Sequence, residues 1–194
     1  MRFINTKFIK SASKKEEFII DDLPQIAIVG RSNVGKSSLI NMLTNNSKMA
    51  KTSSTPGRTR LVNYFNVNEQ FYLVDLPGYG YHKASKSIAD SWDKVMNDYF
   101  VDNDKLRVVM LLLDSRILPT ELDIRMLDFL ATHDIPCVIV LTKTDKLNRS
   151  EINNAINKVS TMVRYNKELI IPTSASKKQG VEKIGDLLEN YLED

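Results

Sequence analysis

The chain has 194 residues, 42% hydrophobic and 26% charged, with a formal net charge of +3. That is the length of one domain at an ordinary globular composition, which excludes disordered, collagen-like and coiled-coil architectures. No apolar run approaches the ~20 residues that span a bilayer, and residues 1–11 mix Arg2, Lys7 and Lys10 with single apolar residues, unlike a secretory signal; a cytoplasmic protein with no membrane partner is expected.

Residues 1–22 read as an extension, with an edge strand around Glu17 to Ile20, ahead of one domain over 23–194. Short β-branched runs predict strands at Gln25 to Val29, Leu61 to Val67, Gln70 to Asp75, Arg107 to Asp114, Pro136 to Thr142 and Glu168 to Thr173. Amphipathic stretches between them predict helices at Lys36 to Thr44, Ser87 to Val101, Thr120 to His133, Ser150 to Tyr165 and Val181 to Leu192, with Thr120 or Pro119 marking a helix start. This βαβ alternation argues for an α/β fold with a parallel sheet covered by helices on both faces. Asn68 and Glu69 join two of the strands as an antiparallel hairpin. Residues 46–60 and 76–86 lack periodicity, carry Pro56, Gly57, Pro77, Gly78 and Gly80, and read as mobile loops.

Charge is uneven. Residues 1–60 hold 11 Lys and Arg against 4 Asp and Glu, while residues 61–194 hold 16 against 20. A basic amino-terminal third is compatible with a nucleic-acid partner, although a solvated face is the commoner meaning. The lone Cys137 lies in an apolar run and reads as a buried, inert thiol with no zinc-type neighbours.

Gly30, Arg31, Ser32, Asn33, Val34, Gly35, Lys36 and Ser37 fit GxxxxGK(S/T) between a predicted strand and a predicted helix. In that setting backbone N–H groups wrap phosphate oxygens at a positive helix terminus, Lys36 reaches the β and γ phosphates, and Ser37 ligates Mg²⁺. Thr142, Lys143, Thr144 and Asp145 fit TKxD at the end of a strand. A carboxylate there accepts from both N1–H and the 2-amino group of guanine, which adenine cannot offer, and the Lys143 stem can cover the base. Ser174, Ala175 and Ser176 follow the next strand as a loop whose N–H groups can meet guanine O6. Asp75 to Gly78 fit DxxG, with Asp75 placed to hold Mg²⁺ through water and Gly78 free to bring its N–H to the γ-phosphate. A Thr closing over the metal comes from Thr52, Thr55 or Thr59, and position next to the hairpin favours Thr59.

With GRSNVGKSSLIN at 30–41, STPGRT at 54–59, DLPGYGY at 75–81, TKTD at 142–145 and SAS at 174–176, nearly the whole chain resembles the EngB (YihA or YsxC) family of bacterial ribosome-biogenesis P-loop GTPases. The resemblance implies a Ras-like fold, here a six-stranded mostly parallel sheet with one antiparallel strand. It also implies GTP hydrolysis, with Lys36, Thr59 and Gly78 catalytic and Ser37 and Thr59 on the metal, and Ser38 among the nucleotide contacts. It further implies GTP or GDP as ligand and the large ribosomal subunit, through its RNA or proteins, as partner of a chain that is monomeric when free. A different class of function, a nucleotide-dependent RNA-binding scaffold with incidental hydrolysis, stays open beside it.

Tyr79 stands where many GTPases place a water-orienting Gln. A phenol cannot align water as an amide does, so slow intrinsic hydrolysis is expected, of the order of 10⁻⁴ to 10⁻³ s⁻¹; Tyr79 and Tyr81 can equally pack the loop. Asn33 occupies the phosphate-loop position that related GTPases use to bind K⁺, with bracing of that loop as its alternative and Arg58 as a rival charge donor. His82 reads as a solvated loop residue, His133 as structural at a helix end, and Trp92 with Tyr99 as core packing.

Overall fold

The computed structural model describes residues 2–51, 61–80, 94–101 and 103–193. Among the described residues seven strands form one sheet: β1 (Thr6–Ala12), β2 (Gln25–Gly30), β3 (Val62–Val67), β4 (Phe71–Asp75), β5 (Leu106–Asp114), β6 (Cys137–Thr142) and β7 (Ile170–Pro172). Their spatial order is β1-β3-β4-β2-β5-β6-β7. β3 is antiparallel to both of its neighbours and every other pairing is parallel, so β3 alone runs against the sheet. The helices are α1 (Lys36–Leu43), the segment 94–100 (α2), α3 (Glu121–Thr132), α4 (Arg149–Val163) and α5 (Val181–Glu189). Among the described residues no helix is long and apolar enough to cross a membrane.

Strand alternation sorts the core into two layers. On one face Ala27, Val29, Val109, Leu111 and Leu113 meet Tyr99 and Phe100 of α2, Met126 and Leu130 of α3 and Val159 of α4. On the other, Ile26, Ile28, Met110 and Leu112 meet Leu39, Ile40 and Leu43 of α1 and Ile184 and Leu188 of α5. Both faces of the central strands are dry, which is why they read as continuous apolar runs.

The antiparallel hairpin forms, but Val67 pairs with Phe71, so three residues rather than two connect the strands: Asn68 (φ 56) and Glu69 (φ 61) are left-handed, and Gln70 N–H donates to the Val67 carbonyl at 3.0 Å. Thr120 caps α3, and Thr120 and Asp123 form a reciprocal capping box. The seventh strand comes from the extension, but at Thr6–Ala12 rather than around 17–20. There the Ser13 N–H and hydroxyl both donate to Glu17 Oε2 and close a turn, while the Phe18 ring sits edge-on to Tyr99 at 5.9 Å. Cys137 is buried and burial pushes its thiol up to about 12, as an inert core thiol requires. His133 accepts a structural place, its Nδ1 2.8 Å from the Phe129 carbonyl oxygen, and Tyr99 is fully buried. Thr52, Thr55, Arg58, Thr59, Tyr81, His82, Trp92 and the predicted helix start at Ser87 lie outside the described residues.

Candidate nucleotide site

Parallel strands bring their carboxyl ends to one edge of the sheet. β2 ends at Gly30, β4 at Asp75, β5 at Asp114, β6 at Thr142 and β7 at Pro172, so the four motifs emerge side by side, where open α/β sheets hold their ligands.

The phosphate loop, 30–37, is shaped by close approach. A Cβ on Gly30 would stand 2.8 Å from Val34 Cγ1 and 3.0 Å from the Leu112 carbonyl oxygen. Asn33 (φ 64) and Gly35 (φ 115) turn the chain into α1. Gly35 is the N-cap and supplies no side chain, so the first-turn N–H groups at Lys36, Ser37 and Ser38 have no intrahelical acceptor and present a positive end. The DxxG loop lies against this cradle: Ser32 N–H donates to the Tyr79 carbonyl at 2.9 Å and Tyr79 N–H to the Gly30 carbonyl at 3.2 Å. Gly78 leaves no space above Lys36, whose Nζ is 2.9 Å from where a Gly78 Cβ would be.

Asp75 ends β4 almost completely buried. Burial pushes its carboxyl up, and the Lys36 ammonium and the Asn63 amide pull it back. Among the described residues its Oδ1 has no hydrogen-bond partner. An unmatched buried carboxylate oxygen beside a phosphate loop suits a hydrated divalent cation. The Asn63 amide is in turn oriented by Ser11 of β1, whose hydroxyl donates to Asn63 Oδ1 at 2.6 Å.

Beside the phosphate loop lies a cavity of about 250 Å³ whose lining includes Gly35, Ser38, Leu39, Thr142, Lys143, Asp145, Ala175 and Ser176. Thr142 ties it to the phosphate loop by donating to the Val34 carbonyl at 2.7 Å. Thr144 donates to the Thr173 carbonyl, locking β6 to the loop after β7. The Ser174 hydroxyl donates to Asp145 Oδ1 at 2.9 Å, and this bond, with help from Ser176, holds the Asp145 carboxyl below its ordinary range. Asp145 is therefore an acceptor-only group, oriented and charged, at the wall of the cavity.

Three features were not read from the sequence. Asp114 accepts Arg116 Nε at 2.9 Å and Nη2 at 2.7 Å, and Lys143 Nζ at 2.9 Å; an acid closing an apolar parallel strand at the ligand edge is the signal that could have found it. Asn63 is hidden in an ordinary strand. Tyr79 is buried, its hydroxyl donating to Asp123 Oδ1 at 2.7 Å, while Asp123 Oδ2 accepts from Thr120 N–H and hydroxyl. Burial and this carboxylate push the phenol well above its usual range. Tyr79 thus packs the loop onto α3. Tyr79→Phe is expected to lower the unfolding free energy by about 1–2 kcal/mol in urea titrations while leaving single-turnover hydrolysis unchanged; a matching fall in rate would restore a catalytic role.

A family profile described as 50S ribosome-binding GTPase matches residues 25–143. The probable GTP-binding protein EngB of Clostridium beijerinckii is 45% identical over 196 residues, covering 100% of this chain and 99% of the relative. That of Thermoanaerobacter pseudethanolicus is 42% identical over 191 residues, covering 98% of this chain and 100% of the relative. Among solved structures, a probable GTP-binding protein engB aligns with a TM-score of 0.73 at 23% identity, over 87% of this chain and 98% of that one. Era in complex with MgGDPNP and a segment of 16S ribosomal RNA aligns with a TM-score of 0.70 at 23% identity, over 87% of this chain and 56% of that one. These two share the fold, and the sequence relatives carry the kinship over almost the full length: the chain belongs to the EngB family of P-loop GTPases.

Proposed function

We propose that this chain is a GTP-driven switch acting in assembly of the large ribosomal subunit, in the cytoplasm and as a monomer when free. The observation that carries the guanine reading is Asp145, charged and braced by Ser174 at the wall of a cavity that shares Gly35 with the phosphate loop. The matched family's description, 50S ribosome-binding GTPase, supports the partner. Lys36 and the first-turn N–H groups of α1 receive the phosphates, Gly78 follows the γ-phosphate, and Lys143, Ser174, Ala175 and Ser176 frame the base. Mg²⁺ would be held by the Ser37 hydroxyl, by Thr59 and through water by Asp75, whose unmatched Oδ1 fits that task; bound there it supplies charge neutralisation for phosphoryl transfer. With Tyr79 turned toward Asp123, no side chain at that position aligns the water, and intrinsic hydrolysis is slow.

The test is co-sedimentation with purified large subunits in the presence of a GTP analogue or GDP across a salt series. GTP-dependent binding that weakens steeply with salt is expected, and replacing the exposed Lys48 and Lys51 by Ala flattens that slope. Salt-independent binding would instead indicate a protein contact. Single-turnover rates unchanged by subunits would favour a scaffold whose hydrolysis is incidental.

A monovalent cation supplies the positive charge that other GTPases take from an arginine. Asn33 is exposed and left-handed; its carbonyl is engaged by Lys143 at 3.0 Å, and its side-chain amide has no partner among the described residues. That free amide oxygen suits K⁺ beside the phosphates. GTP hydrolysis is expected to be faster in KCl than in NaCl at equal ionic strength, and Asn33→Ala to erase the difference. Equal parental rates in both salts would discard the cation and promote Arg58.

A further inference from the structure

We propose that Asp114, at the end of β5, is a positioning residue for the nucleotide: it clamps the Lys143 ammonium against the Asn33 carbonyl and so holds the lysine stem along the base. The inference rests on the guanine reading above. Lys143 joins two walls of the site, its Nζ donating to Asn33 O at 3.0 Å and to Asp114 Oδ2 at 2.9 Å. The backbone beneath it is left-handed at φ 62, a conformation that a non-glycine residue keeps only when its surroundings impose it. A four-carbon stem with an unheld ammonium would sample solvent rotamers, so its use as a lid over a flat ring requires an anchor at the tip.

Asp114 is built for that task. Its side chain is 12% exposed, and the fork of Arg116 fixes the plane of the carboxylate through both oxygens. Burial opposes its charge, but the hydrogen bonds from Arg116 and Lys143 outweigh burial and hold the carboxyl well below the usual range. The anchor is therefore an anion throughout the pH range in which the protein works. The clamp also borders a second cavity of about 230 Å³ whose lining includes Arg31, Asn33, Asp114 and Lys143. Because the lid contacts a ring face, it contributes to affinity without choosing among purines; choice stays with Asp145.

A thermodynamic cycle on GDP binding tests this, using a fluorescent GDP analogue and parent, Asp114→Ala, Lys143→Met and the double variant. Lys143→Met keeps the stem and removes the ammonium. Each single change is expected to weaken binding about tenfold, and the double variant to bind no more weakly than Lys143→Met alone. Asp114→Asn, which preserves shape, is expected to fall between parent and Asp114→Ala and guards against a folding defect. A purely structural role would instead make the two losses multiply. The GDP-over-ADP preference, read in the same titrations, is expected to persist in Asp114→Ala. A parent that binds ADP as well as GDP overturns the guanine reading and the inference with it. A selective parent that Asp114→Ala leaves within twofold, or losses that multiply in the double variant, overturns the inference alone.

Discussion

Asp145→Asn is expected to weaken GTP binding by about thirtyfold or more and to turn the site toward xanthosine triphosphate. The substitution keeps the shape of the side chain but sets an amide donor where guanine presents N1–H and its 2-amino group. Two donors then face each other in a confined wall, and the desolvated pair has no partner. Xanthine carries a carbonyl at the 2-position, which the new amide can serve. Equilibrium titration with GTP and xanthosine triphosphate measures the lost complementarity and its recovery by xanthine. Unchanged GTP affinity would remove Asp145 from the site.

Gly78→Ala is expected to slow GTP hydrolysis by at least about 100-fold while GDP affinity stays within a few-fold. The reason is local geometry. The added Cβ would stand 2.9 Å from Lys36 Nζ, 3.1 Å from Ser32 N and 3.2 Å from Ser32 Cα. Lys36 can swing its tip aside, but the Ser32 N–H is fastened to the Tyr79 carbonyl, and the loop around it is closed by the Val34 N–H donating to the Arg31 carbonyl. The DxxG loop must therefore lift away from the cradle, which removes the Gly78 N–H from the place where γ-phosphate charge develops and disturbs the diphosphate positions much less. Rapid-quench single turnovers and GDP titrations on the same preparation measure the two quantities; parental turnover would show that Gly78 is only a turn residue.

Most of the site was legible because its motifs are short and their spacing is tied to strand ends. Gly30 to Ser37, Asp75 to Gly78, Thr142 to Asp145 and Ser174 to Ser176 each follow a strand of the sheet, and a parallel sheet necessarily brings such positions together. The supporting residues were illegible for the complementary reason. Asp114 and Arg116 act through a lysine 29 and 27 positions away, and Asn63 receives Ser11 from a strand 52 positions earlier. Such pairs leave no local period. Tyr79 was readable as an absence of glutamine but not as a partner of Asp123, because that contact spans 44 positions. In the fold, the extension was misread at 17–20, where Phe18 and Ile19 suggest a strand, because side-chain closure of a turn by Ser13 and Glu17 outcompetes pairing. α4 begins one residue earlier than expected, because Asn148 and Glu151 form the capping box that the apolar pattern alone does not show.

β1 has an implication for how the molecule comes into being. Its partner is β3, with Thr6 opposite Val67 and Ala12 opposite Val62, and the hairpin tip tethers it further, Asn68 Oδ1 accepting from Ile4 and Asn5 N–H and its amide donating to the Arg2 carbonyl. β1 stands well ahead of its partner in the chain, so it can dock only once β3 and its turn have been made. Its loop-closure cost is that of a long-range contact, in contrast to the neighbouring β3–β4 pairing, which closes over the three turn residues 68–70. Until then the edge of β3 is open, and Tyr64, Phe65 and Val67, all buried in the finished sheet, belong to a ribbon lacking its outer strand. The register shift between Phe8 and Lys10 then gives the completed border a bulge that discourages a further strand from adding. The same segment that covers the open side of the hairpin is therefore the one that ends the sheet there.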